Sequence, residues 1–142
     1  MLVETVKIRV LVVDDHTGMR EGISAVVNAQ PDMIVVGEAS DGDEAIEKYK
    51  TLRPDVSLVD WNLPNMPGEE VIKTVSTEFP NARFVVITAL NDDDCIPQAL
   101  RLGVQACLRK DMLRRELVPA IRAVHHGKQY VPDRISNRLK KG

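Results

Sequence analysis

Aspartates stand side by side at positions 14 and 15, a third stands at 60, a threonine at 88 and a lysine at 110. Phosphoryl transfer needs side chains of these types: carboxylates to hold a cation or attack phosphorus, a hydroxyl and an ammonium to receive its equatorial oxygens. Each closes a short apolar run. Val10-Leu11-Val12-Val13 ends on Asp14-Asp15, Val56-Ser57-Leu58-Val59 on Asp60, Phe84-Val85-Val86-Ile87 on Thr88, and Ala106-Cys107-Leu108 on Arg109-Lys110. Carboxylates brought within a few ångströms raise one another's pKa, and desolvation raises it further. A hard divalent cation resolves that conflict, and a few oxygen ligands with room for water suit Mg²⁺ better than a caged Ca²⁺. Taken singly, each residue has a plainer reading: Asp14 or Asp15 caps a helix, Thr88 starts a turn, Lys110 extends from a strand end. Their joint occurrence at four strand ends favours a single site.

The elements that must position them follow from the apolar periodicity. Ile8 to Val13, Met33 to Gly37, Val56 to Val59, Arg83 to Ile87 and Val104 to Leu108 read as strands covered on both faces. Helix-period segments lie between them. The first places Met19, Ile23, Val26 and Val27 on one face before Gln30-Pro31-Asp32 stops it. The second carries Ala45, Ile46 and Tyr49 behind an acidic first turn, and the third carries Val71, Ile72 and Val75 after the stiff loop Pro64-Asn65-Met66-Pro67-Gly68. Ile96 to Leu102 forms a fourth, and Leu113, Leu117, Ile121 and Val124 form the stripe of a fifth that ends at Gly127. Strand and helix in alternation imply right-handed crossovers, hence an α/β fold: a flavodoxin-like (βα)5 three-layer sandwich with a parallel sheet in the order 2-1-3-4-5. The switch point of that order lies between the first and third strands, where Asp14, Asp15 and Asp60 stand.

A chain of 142 residues makes one domain, a size that buries about two thirds of its unfolded surface. Nothing in it approaches the roughly 18 consecutive apolar residues of a membrane span. The leading Met-Leu-Val-Glu-Thr-Val is too short and too acidic for a targeting peptide, and Cys95 and Cys107 lack ligand spacing. A soluble protein of a reducing cytoplasm, with no membrane partner, is expected. The net charge of −2 conceals an asymmetry: residues 1–108 carry nine basic against eighteen acidic side chains, residues 109–142 ten against three. The basic end reads as a solvated helix face and tail, or as a junction with an anionic partner or a nucleic-acid-binding neighbour. No interleaving of basic and aromatic residues supports direct nucleic-acid binding by this chain.

Asp14-Asp15-His16 with Arg20-Glu21-Gly22, Asp60 followed by Leu63-Pro64-Asn65-Met66-Pro67-Gly68, Thr88-Ala89, and Lys110-Asp111-Met112 together resemble the receiver domain of bacterial two-component response regulators. The resemblance runs from Ile8 to about Tyr130 and is similar in detail to the NarL/FixJ-type subfamily of LuxR-family transcriptional regulators. It implies a receiver over residues 1–130, the start of an interdomain linker over 131–142, and a downstream LuxR-type helix-turn-helix domain absent from this chain, through which alone DNA would be bound. It further implies that Asp60 is the phosphoacceptor, attacking the phosphohistidine of a sensor histidine kinase. Asp15 would ligate Mg²⁺ directly and Asp14 largely through water, with Asp60 and the backbone carbonyl of Asn62 completing the protein ligands. Thr88 and Lys110 would contact the phosphoryl oxygens. Such a chain is a phosphoacceptor switch that catalyses only its own phosphorylation and dephosphorylation. Its output face, built by the fourth helix, fifth strand and fifth helix, is a candidate homodimer surface.

The chain also departs from the family pattern. Cys107 stands where the family usually carries Tyr or Phe, and Pro97 and Pro119 fall inside the fourth and fifth predicted helices, which must begin late or bend. His16 is expected at the rim of the acidic site, Trp61 as packing at its mouth, Asp92-Asp93-Asp94 as caps of the fourth helix, and both cysteines as small core residues. Rival readings are a stand-alone phosphoryl shuttle, a haloacid-dehalogenase-type phosphatase and a flavodoxin-like cofactor binder. The phosphatase needs a general acid two residues after its nucleophile, where Asn62 stands. The cofactor binder needs a first loop that tolerates phosphate, where the charge of Asp14-Asp15-His16-Thr17-Gly18 repels it unless a metal intervenes.

Overall fold

Period-two alternation in the strands sorts the apolar side chains into two layers. In β1 (Ile8–Val13), Val10 and Val12 face one way and Leu11 and Val13 the other, and both sets are buried. The computed structural model describes residues 6–89 and 95–131, so the expectation for Asp92-Asp93-Asp94 and that for residues 132–142 lie outside the described residues. After β1 come α1 (Thr17–Asn28), β2 (Met33–Ala39), α2 (Gly42–Leu52), β3 (Val56–Asp60), α3 (Gly68–Glu78), β4 (Phe84–Thr88), α4 (Cys95–Arg101), β5 (Ala106–Arg109) and α5 (Leu113–His125). A single 3₁₀ turn, Lys110–Met112, joins β5 to α5. The five strands are parallel in the order β2-β1-β3-β4-β5, as the sequence predicts. Helices α2, α3 and α4 cover one face through Tyr49, Val71, Ile72, Val75, Ile96 and Ala99, while α1 and α5 cover the other through Ile23, Val27, Leu117 and Ile121.

Two local expectations change. Gly37 does not end β2. The register shifts between Val10 and Leu11, leaving Val36 as the extra residue of a bulge, and Leu52 of α2 packs so close that a Cβ on Gly37 would lie 2.6 Å from its Cδ1. Val26 does not join the buried stripe of α1 but is 39 % exposed; it stands one residue, about 100°, from buried Val27. Pro97 falls in the first described turn of α4, as a late-starting helix requires. Pro119 lies inside α5. The carbonyl it leaves without a donor, that of Arg115 one turn earlier, belongs to an exposed residue on an exposed side of the helix, so water can satisfy it.

The chain does not leave the sheet at the end of α5. Gly127 adopts φ +79°, Lys128 donates its amide back to the Ala123 carbonyl, and Tyr130 forms an isolated parallel bridge with Ala106, its amide bonded to the Gln105 carbonyl at 2.8 Å. The side chain of Tyr130 packs on the α1/α5 layer and that of Val131 on the α4 layer, as successive strand residues would.

Candidate functional site

Because the strands are parallel, the residues that end them meet at one edge. Asp14 directly follows β1, Asp60 and Thr88 are the last residues of β3 and β4, and Lys110 follows β5. All three of Asp14, Asp60 and Thr88 are buried, at 1 %, 1 % and 0 % exposure. Lys110 Nζ reaches Asp60 Oδ2 at 3.3 Å and lies 4.0 Å from Asp14 Oδ2. The other Asp60 oxygen accepts the Asn62 amide at 2.9 Å, a turn closed within the loop after β3. Burial holds the Asp60 carboxyl above the ordinary carboxylate range; the Asn62 amide and the Lys110 charge oppose that shift, and the Asp14 charge adds to it.

Asp14 Oδ1 accepts the His16 amide at 2.8 Å and the His16 Nδ1 at 3.1 Å. Asp14 Oδ2, Asp15 Oδ1 and the Thr88 hydroxyl are buried without a hydrogen-bond partner. One oxygen or nitrogen from each of Asp14, Asp15, His16 and Asp60 lies within 4.8 Å of the others. Unsatisfied carboxylate oxygens, gathered around a single ammonium, fit a hard divalent cation by donor type and by charge.

Sequence reasoning placed Asp14, Asp15, Asp60, Thr88 and Lys110 at this edge, and the structure brings them together there. Arg109, read beside Lys110, turns away: its guanidinium forks onto Asp111 at 3.1 and 2.8 Å, bracing the turn from which Lys110 projects. Two contributors were not singled out for the site. Arg20 donates to the Asp14 carbonyl at 2.9 Å and to Glu38 at 3.1 Å, tying the end of β1 to β2. Gly68 begins α3 so close to the acceptor strand that a Cβ would lie 2.6 Å from the Asp60 carbonyl oxygen and 2.8 Å from Trp61 Cα. The Pro-Asn-Met-Pro-Gly run was the only available signal for it. Trp61 is 8 % exposed and packs in the α2/α3 layer, as expected of a packing residue.

The class of domain is thus a flavodoxin-like sheet whose switch-point crevice is acidic and faced by a lysine that follows its last strand. The profile of the response regulator receiver domain matches residues 10–122, and the chain belongs to that family. It is 40 % identical over 121 residues to the uncharacterized transcriptional regulatory protein YxjL of Bacillus subtilis, a match covering 85 % of this chain and 56 % of that protein. It is 36 % identical over 132 residues to the transcriptional regulatory protein LiaR of the same organism, covering 93 % and 63 %. Among solved structures, the signal receiver domain of NarL from Mycobacterium tuberculosis superposes with a TM-score of 0.81 at 36 % identity, covering 87 % of this chain and 99 % of that one. The homologues are thus response regulators of the NarL and LiaR type, and the chain spans 56–63 % of the length of these two curated relatives. The receiver family is not a classical enzyme family. Among the described residues no helix is long and apolar enough to cross a membrane.

Proposed function

We infer that the chain is a phosphorylation-controlled switch in a two-component relay, with Asp60 as the residue that accepts the phosphoryl group from a sensor histidine kinase. One observation carries the reading: a buried carboxylate anchored by Lys110 ends its strand beside one that ends on a buried threonine hydroxyl, and the crevice holds carboxylate oxygens without a hydrogen-bond partner. An Asp60 oxygen attacks phosphorus as the bond to the kinase's imidazole nitrogen breaks, leaving an acyl phosphate. The Thr88 hydroxyl and the Lys110 ammonium donate to the phosphoryl oxygens. Asp14, Asp15, Asp60 and the Asn62 backbone carbonyl would hold Mg²⁺, which when bound neutralises the carboxylates and polarises the phosphoryl group.

On this reading the chain catalyses only its own phosphorylation and dephosphorylation, in the cytoplasm. The receiver occupies residues 1–130 and a linker begins over 131–142. The curated relatives are named as transcriptional regulatory proteins and extend beyond the region matched, which supports transcription control through a DNA-binding domain outside this chain. A homodimer through the face of α4, β5 and α5 is the assembly this output calls for.

The test is chemical. Incubation with acetyl phosphate and Mg²⁺ should add one phosphoryl mass, labile to hydroxylamine, and Asp60→Asn should abolish it. An adduct of the same lability retained in Asp60→Asn would overturn the assignment.

A further inference from the structure

The imidazole of His16 takes no part in capping α1, although His16 is the residue at that cap. Its backbone amide bonds Asp14 Oδ1, which fixes the residue over the crevice, and one edge of its ring lies against the carboxylates: Nδ1 lies 3.1 Å from Asp14 Oδ1 and 3.2 Å from Asp15 Oδ1. Independently, Asp14 Oδ2 is buried in the same crevice without a hydrogen-bond partner, 4.0 Å from Lys110 Nζ, and Asp14 itself is 1 % exposed. The ring belongs to a side chain that is 63 % exposed, so it can rotate a short way without disturbing the core.

An oxygen-only set serves Mg²⁺, whereas a set that adds an imidazole nitrogen serves first-row transition cations, for which nitrogen donors raise affinity. We propose that His16 is a conditional metal ligand. With Mg²⁺ its ring stays hydrogen-bonded to Asp14 through Nδ1–H; with a transition cation such as Ni²⁺ or Zn²⁺, the neutral ring carries its one proton on Nε2 instead, and the bare Nδ1 joins the carboxylates of Asp14 and Asp15 on the metal. The crevice then has two cation modes that differ by one side chain, and the transition cation competes with Mg²⁺ for it. This rests on the reading of the crevice as a divalent-cation site.

Trp61 supplies a local probe, since it is the one tryptophan of the chain and directly follows Asp60. The other two histidines, His125 and His126, sit at the end of α5, where the His125 carbonyl receives Arg83 from before β4, at the opposite edge of the sheet. Titrations of the full chain with MgCl₂ and with NiCl₂, followed by Trp61 fluorescence, should show Ni²⁺ binding more tightly than Mg²⁺. His16→Ala should weaken Ni²⁺ by at least about tenfold and leave Mg²⁺ within about twofold. Co²⁺ bound to the wild type should show d–d absorption bands that shift when His16 is replaced. Equal Ni²⁺ affinities and unshifted Co²⁺ bands in His16→Ala, with Mg²⁺ binding intact, would overturn the proposal and leave the crevice reading standing. If Mg²⁺ binding is absent, or unaffected by Asp15→Asn, the crevice reading falls and the proposal falls with it.

Discussion

Asp60 sits where water would best stabilise its charge and cannot, because the strand that delivers it is covered on both faces. The native state therefore holds its proton more tightly than the unfolded chain, whose carboxyl has the ordinary value of 3.8. Stability is lost as pH rises through the raised native value, since above it the folded protein must carry a buried charge that the unfolded chain carries in water. In EDTA at neutral pH, Asp60→Asn should accordingly melt higher than the wild type, by on the order of 1 kcal/mol, and the two should converge below pH 3.8. A wild type that melts as high as the variant at neutral pH would contradict this. The five site side chains were legible because each terminates an apolar run, a pattern visible in one dimension. The approach of His16 Nδ1 to the carboxylates, the reach of Arg20 to the Asp14 carbonyl and the closeness of Gly68 to Asp60 were not, because each depends on how the chain is arranged in space.

At the scale of elements, strands and helices were read well where burial is one-sided or complete, as in β3, β4 and α5. They were read poorly where one contact overrides periodicity, as Leu52 does at Gly37 in β2. Cys107 of β5, at the position of the usual Tyr or Phe in the family pattern, is fully buried on the α4 layer and offers no ring to change rotamer. Coupling from Asp60 should then depend on the Thr88 hydroxyl and the backbone that follows β4. With beryllofluoride and Mg²⁺, hydrogen exchange over residues 88–108 should change in the wild type and in Cys107→Ala but not in Thr88→Ala; the opposite pattern would reject this route. The bridge after α5 predicts a separate outcome. Tyr130 donates its hydroxyl to Glu116 and its amide to Gln105, so Tyr130→Ala should cost about 1 kcal/mol and leave the amide of residue 130 exchanging like a free tail. Continued protection of that amide would show the bridge to be held by other contacts.

Over the whole molecule, the first and last βα units are closed on each other by one ion pair. Arg122 of α5 forks onto Asp32 at 2.9 Å through two nitrogens and reaches Gln30 at 3.3 Å, joining the turn after α1 to a helix 90 residues later. The Arg122 side chain hydrogen-bonded to Asp32 holds that carboxyl below its usual value of 3.8, against a smaller opposing cost of burial. The stabilisation is present above pH 3.8 and lost as pH falls through the lowered native value. Arg122→Gln should lower the melting temperature at neutral pH, less so in high salt because the pair is half-exposed, and the loss should close in strong acid. An equal loss at neutral and acid pH would mean that Arg122 acts by packing. β5, the last strand of the sheet, carries the remaining consequence. With Tyr130 laid on Ala106, the outer side of β5 is already paired at its first residue, so a second chain cannot extend the sheet along the whole of this strand. A symmetric pair on this face is therefore expected to be made by side chains of α4 and α5, and its geometry can be retuned by surface substitution without touching the sheet.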